Sequence, residues 1–258
     1  KSSRPNRYIG EQMIYKNEYG KVDLLSKQFL QSLKSNKGVI GAKLSGGSDT
    51  ALLLYLLAKE IQERNLNFSI LPYTFLDKPD RNIVAQMIID EVKSNFPKVS
   101  FEDHIYTKLT IPYRDVWNEY AVKLSKEYDI VFFTNAVNRP PPIEILSNKE
   151  LGRMVASEKA LRNYNTKDLE YLGIYDIPEY KPFEHVDKRF TAQVYEDLFL
   201  LETLFPLTRS CLNKDTEKTD YHEKPCGECY WCEEKFWAFG QYDACLLYTS
   251  PSPRDPSI

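Results

Sequence analysis

Two stretches of the sequence hold residues whose types and spacing could do chemistry. The first is Leu44-Ser45-Gly46-Gly47-Ser48-Asp49-Thr50, wedged between two apolar runs. Glycines let a backbone come close to a phosphate, and the unpaired N–H groups of a helix start point at it. Ser45, Ser48 and Thr50 add hydroxyl donors. Asp49, in the first helical turn, can cap the helix or take Mg²⁺. No lysine follows the glycines, so this is not a Walker A loop, and there is no G-x-G-x-x-G. The plainer alternative is a tight turn with an aspartate cap.

The second stretch is Cys226-Gly227-Glu228-Cys229-Tyr230-Trp231-Cys232, a C-x₂-C-x₂-C pattern preceded by Cys211. Four thiolates at such spacing suit one tetrahedral Zn²⁺, and Gly227 eases the turn between sulfurs. An iron–sulfur site is the metal alternative, although the ferredoxin-type continuation is missing, and unligated thiols are the third reading. Four protein ligands leave no open position, so the zinc is expected to be structural. His222 is a substitute ligand on paper but reads as a loop residue. Trp231, Phe236, Trp237 and Phe239 read as packing around the metal rather than as a base-stacking platform.

The elements that must position these residues follow from the apolar pattern. Val22 to Leu33 carries helical spacing. Gly38 to Leu44 reads as a buried strand and Asp49 to Arg64 as an amphipathic helix. The alternation repeats: strand Phe68 to Phe75, helix Asn82 to Ser94, strand Val99 to Tyr106, helix Tyr113 to Tyr128, strand Ile130 to Phe133. That spacing predicts an α/β fold with a doubly wound, mostly parallel sheet. Ligands of such sheets lie at the carboxyl ends of the strands, so Thr74, Phe75, Asp77 and Arg81 are expected to border a nucleotide. The alternative for Phe75 is a core residue, and for Arg81 a solvated helix start. Past the stiff Arg139-Pro140-Pro141-Pro142 the pattern weakens. Ser157 to Tyr164, Asp187 to Glu196 and Asp197 to Leu204 read as helices. The expected division is an N-terminal extension over 1–36, an α/β core over 37–140, and a C-terminal cysteine-bearing region over 141–244. Residues 245–258 read as the in-frame translation of a sequencing adapter and are expected to be non-native.

Composition narrows the class. Apolar residues are 42% and charged residues 28% of 258, which suits a folded globular chain. The longest apolar run, Ala51 to Ala58, is too short to span a bilayer. The net charge of −3 carries no global basic field and argues against nucleic acid as a partner. Clustered thiols without a secretory leader predict a reducing, cytoplasmic setting.

Ser-Gly-Gly-x-Asp-Thr after the first core strand resembles the pyrophosphate loop of the N-type ATP pyrophosphatases, the PP-loop enzymes with an adenine nucleotide alpha hydrolase-like fold. Together with Pro206-Leu207-Thr208-Arg209-Ser210-Cys211 and the Cys226 to Cys232 knuckle, it resembles the 7-cyano-7-deazaguanine synthase family of modified-nucleoside (queuosine) biosynthesis. That resemblance implies ATP, Mg²⁺ and Zn²⁺ as cofactors, and 7-carboxy-7-deazaguanine and ammonia as substrates. It also implies a homodimer. Leu44, Ser45, Gly46, Gly47, Ser48, Asp49 and Thr50 would hold the phosphates, with Ser45, Asp49 and Lys188 in catalytic roles. Lys188 has the alternative of an exposed helix lysine. Four features depart from the family: Thr50 replaces a commoner serine, the spacer from Cys211 to Cys226 is long and charged, residues 1–36 are extra, and the segment Phe133 to Arg139 differs. An adenylating relative acting on tRNA or another carboxylate is the enzyme alternative. A zinc-ribbon nucleic-acid module is the non-enzyme one. Sulfur transfer would need a reactive cysteine outside the cluster, and with Cys245 set aside none remains.

Overall fold

The computed structural model describes residues 13–33, 35–76, 81–108, 113–160, 170–171, 178–211 and 225–243. An antiparallel hairpin, β1 (Ile14–Asn17) and β2 (Gly20–Asp23), precedes a short helix, α1 (Lys27–Ser32). The single helix expected over Val22 to Leu33 is therefore corrected. Val22 pairs with Tyr15 across the hairpin, and Leu25 turns the chain at a φ of 48° while its N–H donates to the Tyr180 hydroxyl. Only then does Ser26 start the helix, its hydroxyl accepting from the Phe29 N–H.

Strand and helix then alternate as β3 (Lys37–Lys43), α2 (Ser48–Glu63), β4 (Asn67–Leu76), α3 (Arg81–Asn95), β5 (Ser100–Phe101), β6 (Ile105–Lys108), α4 (Tyr113–Glu127) and β7 (Ile130–Thr134). Next come α5 (Lys149–Ala160), β8 (Glu170–Tyr171), β9 (Pro178–Tyr180), α6 (Lys188–Asp197) and α7 (Tyr230–Phe239). Among the described residues the sheet runs β5-β4-β3-β7-β9-β8, with β6 also on β4. Every pairing in it is parallel except β8 with β9.

Period-two alternation sorts the strand residues onto two faces. Ile70 and Phe132 join the cluster built with α2, α3, α6 and the hairpin, whereas Leu71 and Phe133 join the cluster under α4. Helices thus cover both faces, as a doubly wound parallel sheet requires. α2 is the most deeply packed, burying Leu52, Leu53, Leu54, Leu56 and Leu57. Each such leucine stabilises by about 1.5–3 kcal/mol. The chain leaves β3 toward β4 on one side and later returns to β7 on the other. The carboxyl ends of β3 and β7 therefore flank a topological switch point, where sheets of this kind bind ligands.

Two further expectations change. The strand over Val99 to Tyr106 splits into β5 and β6, because Glu102 accepts from the Ser69 hydroxyl and His104 turns in to Thr74. Asp197 to Leu204 is not a helix: Phe199 has a φ of 57° and the Leu200 N–H reaches back to the Tyr195 carbonyl. The helix expected over Ser157 to Tyr164 is met by α5 as far as Ala160, and residues 161–164 fall outside the described residues. No helix among the described residues is long and apolar enough to cross a membrane.

Candidate nucleotide loop and thiolate centre

The loop after β3 begins at Leu44, whose N–H donates to the Tyr73 carbonyl at 2.9 Å and whose carbonyl accepts the Thr74 hydroxyl at 2.8 Å. That hydroxyl has one proton, so the 2.8 Å contact from Thr74 Oγ1 to His104 Nε2 requires the imidazole to donate. Burial, helped by Lys93, pulls the His104 pKa down to about 4, which keeps the ring neutral. A relay from His104 through Thr74 thus holds the loop's first residue from below.

Gly46 then takes a φ of +80°, and a Cβ there would meet Val84 Cγ1 at 2.9 Å. Gly47 is the N-cap of α2, and the Thr50 hydroxyl donates to its carbonyl at 3.1 Å. The Ser45 N–H donates to Thr50 Oγ1 at 3.2 Å, closing the loop on itself. The first N–H groups of α2 have no intrahelical partner and carry the positive end of the helix dipole.

One face of α6 clamps the start of α2. Lys188, Thr191 and Tyr195 stand three and four residues apart, so they share that face. Lys188 Nζ lies 2.5 Å from Asp49 Oδ2, Thr191 Oγ1 donates to Asp49 Oδ1 at 3.0 Å, and Tyr195 OH donates to the Ser48 carbonyl at 2.8 Å. α6 is set in place by Asp187, which caps it, and by the Arg139 N–H donating to the Val186 carbonyl. The exposed-lysine alternative is corrected: Lys188 is buried, 4% exposed. Burial pulls its pKa down, but Asp49 and Glu234 outweigh that and hold the ammonium above the ordinary lysine value.

These groups line a cavity of about 290 Å³ at the switch point. Ser45, Gly47, Asp49 and Thr50 come from the loop, and Asn135 and Asn138 from the segment after β7. Lys43, Arg81, Lys188 and Arg209 supply cations against the carboxylates of Asp49 and Glu234. Tyr230 and Trp231 complete a wall from α7. Arg81 is buried and donates to the Ser45 carbonyl at 2.6 Å, so it is not a solvated helix start. Leu44, Gly46, Ser48, Thr74 and Phe75 are not lining residues. Leu44, Ser48 and Thr74 are buried around the loop, and Phe75 packs on Tyr73 and Tyr120. Asp77 lies outside the described residues.

Cys211, Cys226, Cys229 and Cys232 bring their sulfurs within 4.8 Å of one another, a group that could hold a metal ion. The Sγ atoms of Cys211 and Cys226 are 3.6 Å apart, and those of Cys226 and Cys232 are 3.9 Å apart. Four thiolates around a single ion at about 2.3 Å would sit about 3.8 Å apart, so the donor set fits one tetrahedral cation. Gly227 makes the knuckle turn at a φ of +79°, and Cys229 is the N-cap of α7. Behind the sulfurs, Asp243 accepts from the Ser210 and Cys211 N–H groups at 2.8 and 2.9 Å and is paired with the buried Lys235. The expected aromatic shell is corrected in part. Phe239 packs on Phe205, and Trp237 lies under the Arg189 guanidinium. Phe236 is half-exposed, and Trp231 faces the cavity.

Lys43, Asn135, Asn138 and Glu234 lie beyond the expected site residues. A lysine ending a buried parallel strand was the available signal for Lys43. Glu234 carried none, because Glu233 beside it is as acidic and only the phase of α7 separates them.

No protein-family model matches the chain, and no curated protein matches it. Among solved structures it is similar to the U34-tRNA thiolase NcsA from Methanococcus maripaludis with its 4Fe-4S cluster, with a TM-score of 0.42 and 14% identity over 68% of this chain. The match spans 61% of that chain's length. The fold itself is a mostly parallel α/β sheet with helices on both faces and a C-terminal group of four cysteines.

Proposed function

We propose that this chain is an ATP pyrophosphatase that adenylates a carboxylate, and that the carboxylate is a 7-deazaguanine converted to its nitrile with ammonia. One observation carries the reading: Ser45, Gly47, Asp49 and Thr50 of the loop at the switch point line a cavity with Lys43, Arg81, Lys188 and Arg209. Four cations against two carboxylates match a triphosphate, whose charge would otherwise oppose attack by a carboxylate. The named acceptor rests on the resemblance of the loop, of Thr208-Arg209-Ser210-Cys211 and of the cysteine knuckle.

In the first half-reaction the substrate carboxylate attacks the α-phosphorus and the bond to the β-phosphate breaks, giving acyl-adenylate and pyrophosphate. Arg81, Arg209 and the first-turn N–H groups of α2 would hold the leaving pyrophosphate. Ammonia then displaces AMP and loses a proton, leaving the amide. A second ATP adenylates the amide oxygen with release of pyrophosphate and one amide proton, and loss of AMP and the second amide proton gives the nitrile. Ammonia is the nucleophile, so the site needs no cysteine of its own. Mg²⁺ fits beside Asp49, since it is bound through few carboxylates plus phosphate oxygens, and would offset charge on the leaving group. Asn135 and Asn138 offer donor and acceptor pairs suited to a purine-like edge, and Trp231 offers an aromatic wall for it.

At the cysteines we propose Zn²⁺ in a structural role. A four-iron cluster places each thiolate on a different iron and spreads the sulfurs, whereas sulfurs this close suit one shared ion.

The test is incubation with ATP, Mg²⁺, ammonium and 7-carboxy-7-deazaguanine, read by mass spectrometry. AMP formation that depends on the deazaguanine, with the nitrile as product, is the expected result. AMP without nitrile would move the acceptor to another carboxylate or to tRNA. No AMP from folded, metal-loaded protein would sink the adenylation reading.

A further inference from the structure

α7 begins at the thiolate centre, with Cys229 as its cap and Cys232 in its first turn. The two residues that follow Cys232 part company. Glu233 accepts the Ser147 N–H at 3.0 and 3.1 Å on an exposed flank. Glu234 points inward, 3% exposed, and its Oε2 lies 3.3 Å from Lys188 Nζ. The same ammonium is 2.5 Å from Asp49 Oδ2. One cation is therefore shared by two carboxylates, one from the nucleotide loop and one from the helix that the cysteines anchor.

Charge decides what this sharing does. Asp49, Lys188 and Glu234 together carry one net negative charge, facing a cavity whose other charged lining residues, Lys43, Arg81 and Arg209, are cations. Without the Glu234 charge the remaining pair would be neutral, and Asp49 would be committed to Lys188. Attraction between buried charges a few ångströms apart is strong enough to matter at any plausible interior dielectric. Asp49 could then offer a divalent cation far less.

We propose that Glu234 is a positioning residue: by sharing Lys188 with Asp49 it leaves the Asp49 carboxylate able to take the Mg²⁺ that accompanies the nucleotide. The inference rests on the nucleotide reading of the loop and adds a residue that reading does not use. It also ties the metal centre to the loop, since the cysteines set the position of α7 and hence of Glu234.

The experiment is calorimetric titration of the full metal-loaded chain with an ATP analogue carrying a methylene between its α and β phosphorus atoms, at stepped Mg²⁺ concentrations. Glu234→Gln is expected to raise the Mg²⁺ concentration for half-maximal binding roughly tenfold, as befits loss of one nearby charge. Glu234→Asp should raise it less, and Glu233→Gln should leave it unchanged. A wild-type Mg²⁺ midpoint in Glu234→Gln, with cysteine-bound metal intact, overturns the proposal. Should Glu234→Gln fail to keep that metal, Glu234→Asp decides, and a wild-type midpoint there overturns it equally. Wild-type protein that binds no analogue at any Mg²⁺ concentration overturns the nucleotide reading and this proposal together. Wild-type binding with unmoved variants overturns this proposal alone.

Discussion

The Arg81 guanidinium, in the first residue of α3, donates to the Ser45 carbonyl at 2.6 Å and to the Arg209 carbonyl at 3.4 Å. It thereby joins three segments distant in sequence at one edge of the cavity. Hydrogen bonds from charged groups contribute about 1.5–3 kcal/mol. Arg81→Ala should therefore lower AMP formation by roughly 10- to 100-fold. Arg81→Lys should recover only part of this, because one Nη1, its two protons fixed in the guanidinium plane, reaches both carbonyls, and a freely rotating ammonium lacks that fixed geometry. Steady-state AMP release for the three proteins checks it, and equal rates would remove Arg81 from the site.

The two loop glycines should fail differently when changed to alanine. Gly46→Ala places a Cβ at a φ of +80° and 2.9 Å from Val84, so it should lower the melting temperature, at a cost of about 1–3 kcal/mol. Gly47→Ala meets nothing closer than Ser45 Oγ at 3.5 Å and should fold normally. Its added methyl stands at the cavity lining, so nucleotide affinity should fall while stability holds. Thermal unfolding and calorimetry on both variants separate the outcomes. Two equally unstable variants would contradict the loop geometry.

The thiolate centre should hold one zinc per chain, measured by elemental analysis, with no visible iron–sulfur absorbance. Cys232→Ser should lose that metal and release α7, since Cys232 lies in its first turn. Protease cleavage within 225–243 should then rise at least severalfold. Iron and labile sulfide in place of zinc would reassign the centre.

Glu60 predicts a pH dependence away from the cavity. Burial raises its pKa to about 7 despite the Arg64 hydrogen bond, and its Oε1 has no partner among the described residues. Unfolded glutamate releases its proton near 4.5. Between those values the folded state binds more protons, so this contribution is full below 4.5 and is lost as pH rises through 7. Relative to Glu60→Gln, wild-type stability should fall by up to about 3 kcal/mol from pH 5 to 8. Denaturant curves that keep a constant gap across that range would refute the assignment.

Much of the fold was legible because apolar periodicity is a local signal. The alternation from Gly38 to Phe133 announced β3 to β7, and only the break at Glu102 to His104 escaped it. That break depends on Ser69 and Thr74, which are far along the chain. The early hairpin escapes the pattern for a related reason: Leu24 and Leu25 suit a helix face equally well, whereas Val22 pairs with Tyr15 and the Leu25 N–H goes to the distant Tyr180 hydroxyl.

By itself the sequence determined which chemistries were on offer. Glycines between a strand and a helix, hydroxyls beside them, and four cysteines at knuckle spacing are all set by neighbours along the chain. Which charged groups serve that chemistry was decided by tertiary structure. From its own stretch Lys188 reads first as a surface lysine, and α6 turns it onto Asp49; Glu234 is indistinguishable from Glu233 until α7 packs. The reason is physical. The role of a charged side chain depends on its burial and on its partner, and neither is a property of its own stretch of sequence.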